Sequence, residues 1–195
     1  APVMLISSIT EEGTFSGSKA STLFNDVNLQ NKVIANIIDI MVEKGYVGLD
    51  VDFEYILSED RDYFTTFVAR MTNILNESGY TVSVALAPKT SADQQGLLYE
   101  GKDYAGLGAA ANSVLLMTYE WGYTYSVPMA VAPINKVRQV IEYAITEIPS
   151  AKIDMGIPNY GYDWPLPYEK GVTRARTIGN IEAVNIAVRY GAVIQ

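Results

Sequence analysis

The chain contains neither cysteine nor histidine among its 195 residues. Without cysteine there is no disulfide, no thiol nucleophile and no thiolate metal site, and the redox compartment is left open. Without histidine there is no Ser-His-Asp triad and no ordinary catalytic zinc site, so acid–base chemistry falls to Asp, Glu, Tyr or Lys. Positive charge is also scarce. Fourteen Lys and Arg face 22 Asp and Glu, and the net charge of −8 argues against nucleic acid or an anionic membrane as a partner. No apolar run approaches the ~18 residues of a membrane span. No secretion signal is visible, and the chain opens on Ala1-Pro2 without an initiator Met, so it reads as a piece of something longer. What is present is the composition of a globular protein with a substantial core: 49% apolar and 18% charged residues.

The most informative stretch is Gly48-Leu49-Asp50-Val51-Asp52-Phe53-Glu54-Tyr55. With a period of two it is a strand of opposite faces, Leu49, Val51 and Phe53 on one and Asp50, Asp52 and Glu54 on the other. At ~3.3 Å per residue, neighbouring carboxylates on that face lie roughly 6–7 Å apart. Apolar flanks make an ordinary solvated edge a poor explanation. Burial and like-charge repulsion then raise the pKa of at least one acid, and a carboxyl kept protonated near neutral pH can serve as a general acid. On its own, D-x-D-x-E is equally a polar strand end or a Ca²⁺ or Mg²⁺ site.

Around this strand the pattern alternates. Val3 to Ile9 is an apolar run, expected to be a buried parallel strand, and Thr10 to Ser21 has the Gly/Ser/Thr character of a loop. A helix is expected from about Leu29 to Lys44, then the acidic strand from Val47 to Glu54. Ser58 is the expected N-cap of a helix with the stripe Tyr63, Phe64, Phe67, Val68, Met71, Ile74 and Leu75, which Gly79 closes. Tyr80 to Ala87 is a strand, Lys89 to Lys102 a polar loop, Asp103 to Ala111 a short helix and Ser113 to Tyr119 a strand. An aromatic loop leads to a helix opened by Pro133, with the stripe Ile134, Val137, Val140, Ile141, Ala144 and Ile145. A fifth strand (Lys152 to Pro158), a helix (Asn180 to Tyr190) and a last strand (Ala192 to Ile194) complete the reading.

This alternation marks βαβ units and a parallel sheet, either doubly wound or a (β/α)8 barrel. Both place ligands at the carboxyl ends of the strands. Neither G-x-G-x-x-G nor G-x-x-x-x-G-K-[ST] occurs, and the Asp/Leu alternation suits a barrel strand with one inward face. Glu54 is then expected at the active-site mouth. Tyr119-Glu120-Trp121, after the fourth strand, and Tyr160 to Trp164, after the fifth, are expected at the same rim, where amphipathic rings suit sugars.

Three stretches, in order, resemble glycoside hydrolase family 18, the chitinase-like (β/α)8 barrels. Gly48 to Glu54 is similar to the family's D-G-x-D-x-D-x-E strand, Met117-Thr118-Tyr119-Glu120 to M-x-Y-[DE], and Met155 to Gly161 to G-[IV]-P-x-Y-G. Thr118 to Gly122, Pro128 to Ile134 and Tyr160 to Trp164 resemble the spore-associated bacterial branch, which acts on peptidoglycan and often carries LysM modules outside the barrel. Two residues depart from the pattern: Val47 replaces the first Asp, ~23 Å of strand from Glu54, and Glu120 replaces the commoner Asp. In the family's order Val3 to Ile9 resembles strand three and Lys152 to Pro158 strand seven. Residues 1–195 are therefore expected to be a partial catalytic domain, an incomplete barrel lacking strands one, two and eight of a fold that takes ~250 residues.

The resemblance implies a retaining, substrate-assisted glycosidase. Glu54 would protonate the glycosidic oxygen while the sugar's own acetamide carbonyl attacks the anomeric carbon. Asp52 would hold the acetamide N–H, Asp50 would share a proton behind it, and Tyr119 would restrain the acetamide oxygen. Glu120, Trp121, Tyr160 and Trp164 are the expected sugar-binding residues. The implied partner is a polysaccharide of 2-acetamido sugars, chitin-like or peptidoglycan, at the cell wall or spore surface outside the cell, and no metal or cofactor is implied. Two rivals stay open: a carbohydrate-binding barrel without catalysis, and a metal-dependent hydrolase using Asp50, Asp52 and Glu54 as ligands. The open edges of a partial barrel also imply weak activity alone and a tendency to self-associate.

Overall fold

The structure, a computed structural model, describes residues 1–193. It opens with β1 (Val3–Ser7), α1 (Gly17–Phe24), α2 (Val27–Lys44) and β2 (Gly48–Asp52). Next come α3 (Arg61–Glu77), β3 (Thr81–Leu86), α4 (Tyr104–Ala110) and β4 (Ser113–Leu116). The chain continues through α5 (Ile134–Glu147), β5 (Ile153–Met155), β6 (Tyr160–Asp163), β7 (Arg176–Gly179) and α6 (Asn180–Tyr190). Among the described residues, no helix is long and apolar enough to cross a membrane. Two compact units share the chain: Ala1–Met117 with Val140–Met155, and Thr118–Gln139 with the residues from Gly156 onward.

The first unit holds five parallel strands in the order β1-β2-β3-β4-β5. Sequential order means that no crossover reverses direction, as in a barrel; a doubly wound sheet has a switch point. One face is dry. Leu49, Val51, Val82, Val84, Leu86, Val114 and Leu116 are all buried there. The helices supply the opposing layer, with Phe64, Phe67, Val68, Met71 and Leu75 of α3 and Ile34, Ile37 and Met41 of α2. Rings of Phe24, Phe53, Phe64 and Phe67 meet at centroid distances of 5.2–6.4 Å. Truncating one of these rings to Ala is expected to cost about 3–5 kcal/mol.

The other face is not dry. Val3 and Leu5 are about half exposed, and Asp50, Asp52 and Ser83 are half-buried. This corrects the expectation of a buried first strand: β1 has a single sheet neighbour, so one edge and one face stay open. The loop expected over Thr10 to Ser21 contains the start of α1, whose Ser16 cap accepts from the Lys19 N–H at 3.3 Å while Ala20, Leu23 and Phe24 are buried. Ser58 begins a 3₁₀ turn ahead of α3 instead of capping it, and Tyr63 leaves the buried stripe. On α5 the buried positions are Val137, Val140 and Ala144, with Ile134 and Ile145 exposed.

In the second unit β6 and β7 form an antiparallel ribbon, Tyr160 opposite Gly179 and Asp163 opposite Arg176. No strand had been expected there. Alternating Tyr160 and Tyr162 around Gly161 supply the period of two, and Arg176 bridges Asp163 at 3.5 Å and Glu182 at 2.6 Å. Ala192 and Val193 are not in a strand, and Ile194 lies outside the described residues.

Candidate active site

In the first unit the acidic row is laid out as its alternation requires. Leu49, Val51 and Phe53 are buried among the helices; Asp50, Asp52 and Glu54 are half-buried on the opposite side. Each acid has a different environment. Asp50 accepts a short hydrogen bond from the Ser83 hydroxyl, its register partner on β3. Asp52 Oδ1 is buried with no hydrogen-bond partner among the described residues, and so is Oγ of Ser7, its register partner on β1. A buried carboxylate oxygen left unpaired is expensive unless it is protonated or meets a ligand's donor. Burial pushes the Asp52 carboxyl above its ordinary value, and Asp50 adds to this while Lys102 opposes it. Glu54, two residues past the strand, is raised in the same way by burial, with Lys102 opposing and Asp52 reinforcing.

The segment that presents Glu54 is tightly held. Tyr55 has φ +54°, a left-handed conformation uncommon for a non-glycine residue. Such backbone persists only where its surroundings over-determine it. A Cβ at Gly17 would lie 2.3 Å from the Tyr55 carbonyl oxygen, and one at Gly101 would lie 2.3 Å from that of Ile56. Both glycines are required by close approach. The Ser8 hydroxyl reaches the Glu54 carbonyl at 3.4 Å, and the Lys102 ammonium donates a short hydrogen bond to the Phe53 carbonyl. Lys102 is absent from the sequence reading of the site; nothing in its polar loop separates it from a solvated lysine. Among the described residues, no three acidic side chains are grouped so as to hold a metal ion.

The second unit gathers most of the expected sugar-binding residues. Tyr160 and Tyr162 donate to the same Glu120 oxygen, at 2.5 and 2.8 Å. Their rings stand edge to face at 6.0 Å, and Trp164 lies 6.0 Å from Tyr162 with its indole N–H on the Ser126 carbonyl at 3.1 Å. Burial and then the Glu120 carboxylate push both phenols upward, so the tyrosines stay protonated donors; Tyr119 adds to the effect on Tyr160. Glu120 has φ +68°, again left-handed. Trp121 is fixed through its backbone N–H on the Val131 carbonyl at 3.1 Å. Tyr119 is half-buried. Tyr162 was not singled out in the sequence, although its place two residues after Tyr160 carried the signal.

The family model of glycosyl hydrolases family 18 matches residues 10–187. The chain belongs to this family. The cortical fragment-lytic enzyme of Bacillus subtilis (strain 168) is 42% identical over 193 residues, which is 99% of this chain and 45% of that protein. The cortical fragment-lytic enzyme of Bacillus anthracis is 38% identical over 194 residues, covering 100% of this chain and 45% of that protein. The crystal structure of the Bacillus cereus spore cortex-lytic enzyme SleL superposes with a TM-score of 0.92 at 37% identity, over 100% of this chain and 44% of that one. The chain thus spans a little under half the length of these relatives. The family 18 barrel agrees with the sequential strand order, and the five strands found are an incomplete set of its eight.

Proposed function

We propose that this chain is the partial catalytic domain of a glycosidase that cleaves β-linked, N-acetylglucosamine-containing polymers with retention of configuration. The substrate's acetamide acts as nucleophile. One observation carries the reading: three carboxyls in a row on one face of β2 and its end, with Asp52 and Glu54 raised by burial and Asp52 Oδ1 buried without a partner. Glu54 is the proton donor, since a half-buried carboxyl shifted toward its protonated form can protonate the leaving oxygen. The acetamide N–H supplies the donor that Asp52 Oδ1 lacks, and Asp52 then faces the positive charge of the oxazolinium ion. Asp50, tied to Ser83, shares a proton with Asp52 as the charge develops. Tyr119 restrains the acetamide oxygen, and water opens the ion.

Glu120, Trp121, Tyr160 and Trp164 bind the sugar chain. Glu120 holds two tyrosine hydroxyls and leaves the aromatic faces to the sugar rings. The cortex-lytic names of the relatives favour peptidoglycan over chitin, and with it action at the cell wall or spore surface. An intact Glu54 weighs against a barrel that only binds.

Chromogenic oligosaccharides with and without the 2-acetamido group test this directly. The expected result is turnover of the N-acetylglucosaminide in EDTA and none of the matching glucoside. Equal rates on both would remove the acetamide from the mechanism. Loss of activity in EDTA would restore the metal reading, and tight binding without any turnover would favour the carbohydrate-binding barrel.

A further inference from the structure

Two buried lysines organise the loop between β3 and α4. Lys89 is 1% exposed, and its ammonium donates to three main-chain carbonyls: Ala92 at 3.2 Å, Tyr99 at 3.3 Å and Lys102 at 3.0 Å. The Tyr104 hydroxyl donates to the Ala87 carbonyl at 2.6 Å and accepts from the Lys89 N–H at 3.0 Å. Both ends of the loop are thereby pinned, and the loop delivers Lys102 inward. Lys102 is also 1% exposed. Its ammonium donates to the Phe53 carbonyl and to the Ala85 carbonyl at 3.3 Å, and lies 5.3 Å from the Phe64 ring centroid. A buried ammonium that meets neutral carbonyls carries an uncompensated charge. The charges that act on it are those of Glu54 and then Asp52, from the end of β2 and from β2 itself; β3 brings the Ala85 carbonyl and α3 the Phe64 ring.

We propose that Lys102 is a positioning residue for the proposed acid: its buried ammonium clamps the backbone one residue before Glu54 and places a positive charge against it. Two independent features carry this. The clamp is geometric, since the Phe53 carbonyl belongs to the peptide that leads into Glu54. The charge is buried with the clamp: Lys102 is 1% exposed, and its hydrogen-bond partners are neutral carbonyls. Burial lowers the Lys102 amine to about 8, while Glu54 and then Asp52 hold its proton on. It is thus a cation at neutral pH that restrains the upward shift of both acids. A neutral side chain there would let Glu54 and Asp52 titrate higher.

The assignment rests on Glu54 being the acid, but its test does not need turnover. In the full chain, ¹³C NMR would follow the Glu54 and Asp52 carboxyls through pH in wild type, Lys102→Met and Lys102→Arg, and ¹⁵N NMR would follow the wild-type Lys102 amine. Lys102→Met should move the Glu54 midpoint up by ~1 pH unit, a tenfold change in proton affinity, and Lys102→Arg should leave it within a few tenths. The Lys102 amine should itself respond as Glu54 ionises. Where turnover is measurable, the basic limb of kcat/KM should rise with the Glu54 midpoint. An unmoved Glu54 midpoint in Lys102→Met would overturn the proposal, and so would equal losses in Met and Arg with no change in titration, the pattern of a purely structural lysine. If the Met variant does not fold, a wild-type Lys102 amine blind to Glu54 overturns it and a responsive one upholds it. Titrations that behave as expected in a chain that hydrolyses nothing would leave Lys102 in place and refute the glycosidase reading.

Discussion

Asp52 shows what a single half-buried carboxyl costs the fold. Its Oδ1 is buried without a partner, and its proton is held more tightly in the folded chain than in the unfolded one. Tighter proton binding in the folded state means that stability falls as pH rises through the carboxylate range, so the penalty is absent below the unfolded value near 4 and grows as pH rises above it. Asp52→Asn should therefore melt higher than wild type at pH 7. Because Asp52 is only half-buried, solvent screening keeps the gain small, and it should vanish below about pH 4. Calorimetry across pH would check it; a variant less stable than wild type at pH 7 would contradict the assigned penalty. The same substitution should slow hydrolysis and shift the acidic limb of the pH–rate profile, because neighbouring carboxyls titrate as a set. Tyr119→Phe should lower kcat more than it raises KM, if its hydroxyl acts on the acetamide as it attacks.

The element that presents the proposed acid is the four-residue path from Phe53 to Ile56, and it depends on what touches its carbonyls. Gly101→Ala would drive a methyl into the Ile56 carbonyl and Gly17→Ala one into that of Tyr55, where 2.3 Å contacts force the backbone to move. Each should destabilise the chain by about 1–3 kcal/mol in urea melts and lower kcat as Glu54 shifts. Wild-type stability and rate in both would show the path to be slack. Little of this path could be read from the sequence. The period of two in Gly48 to Glu54 is local, so the acidic face, the strand and its dry side were legible, and most of the α3 stripe was legible for the same reason. The clamp is made by Gly17, Gly101 and Lys102, which lie in loops or at a helix start and reveal themselves only once the chain folds back. Helix α1 was hidden by its Ser- and Gly-rich opening and its length of 8 residues. The β6–β7 ribbon was hidden because Tyr160 and Tyr162 read as loop aromatics, although they alternate as strand residues do.

At the scale of the whole chain the question is what an incomplete barrel can do. β1 and β5 each have one neighbour in the five-stranded sheet, and Val3, Leu5 and Met155 are about half exposed along them. Open edges and an unfilled inner face favour pairing with another chain. Sedimentation at micromolar concentration should show species larger than a monomer, and turnover per site should stay well below that of a protein with a closed barrel. A strict monomer of full activity would show that Glu54 needs far less of the barrel than eight strands supply. The central claim is that Glu54 donates the proton, and one comparison tests it most directly. Wild type and Glu54→Gln are incubated with N-acetylated peptidoglycan, and new reducing ends and binding are both measured. Glu54→Gln keeps the shape and removes the proton, so it should bind the polymer as wild type does and turn it over at least 10²-fold more slowly. A Gln variant that releases reducing ends at the wild-type rate would contradict the account.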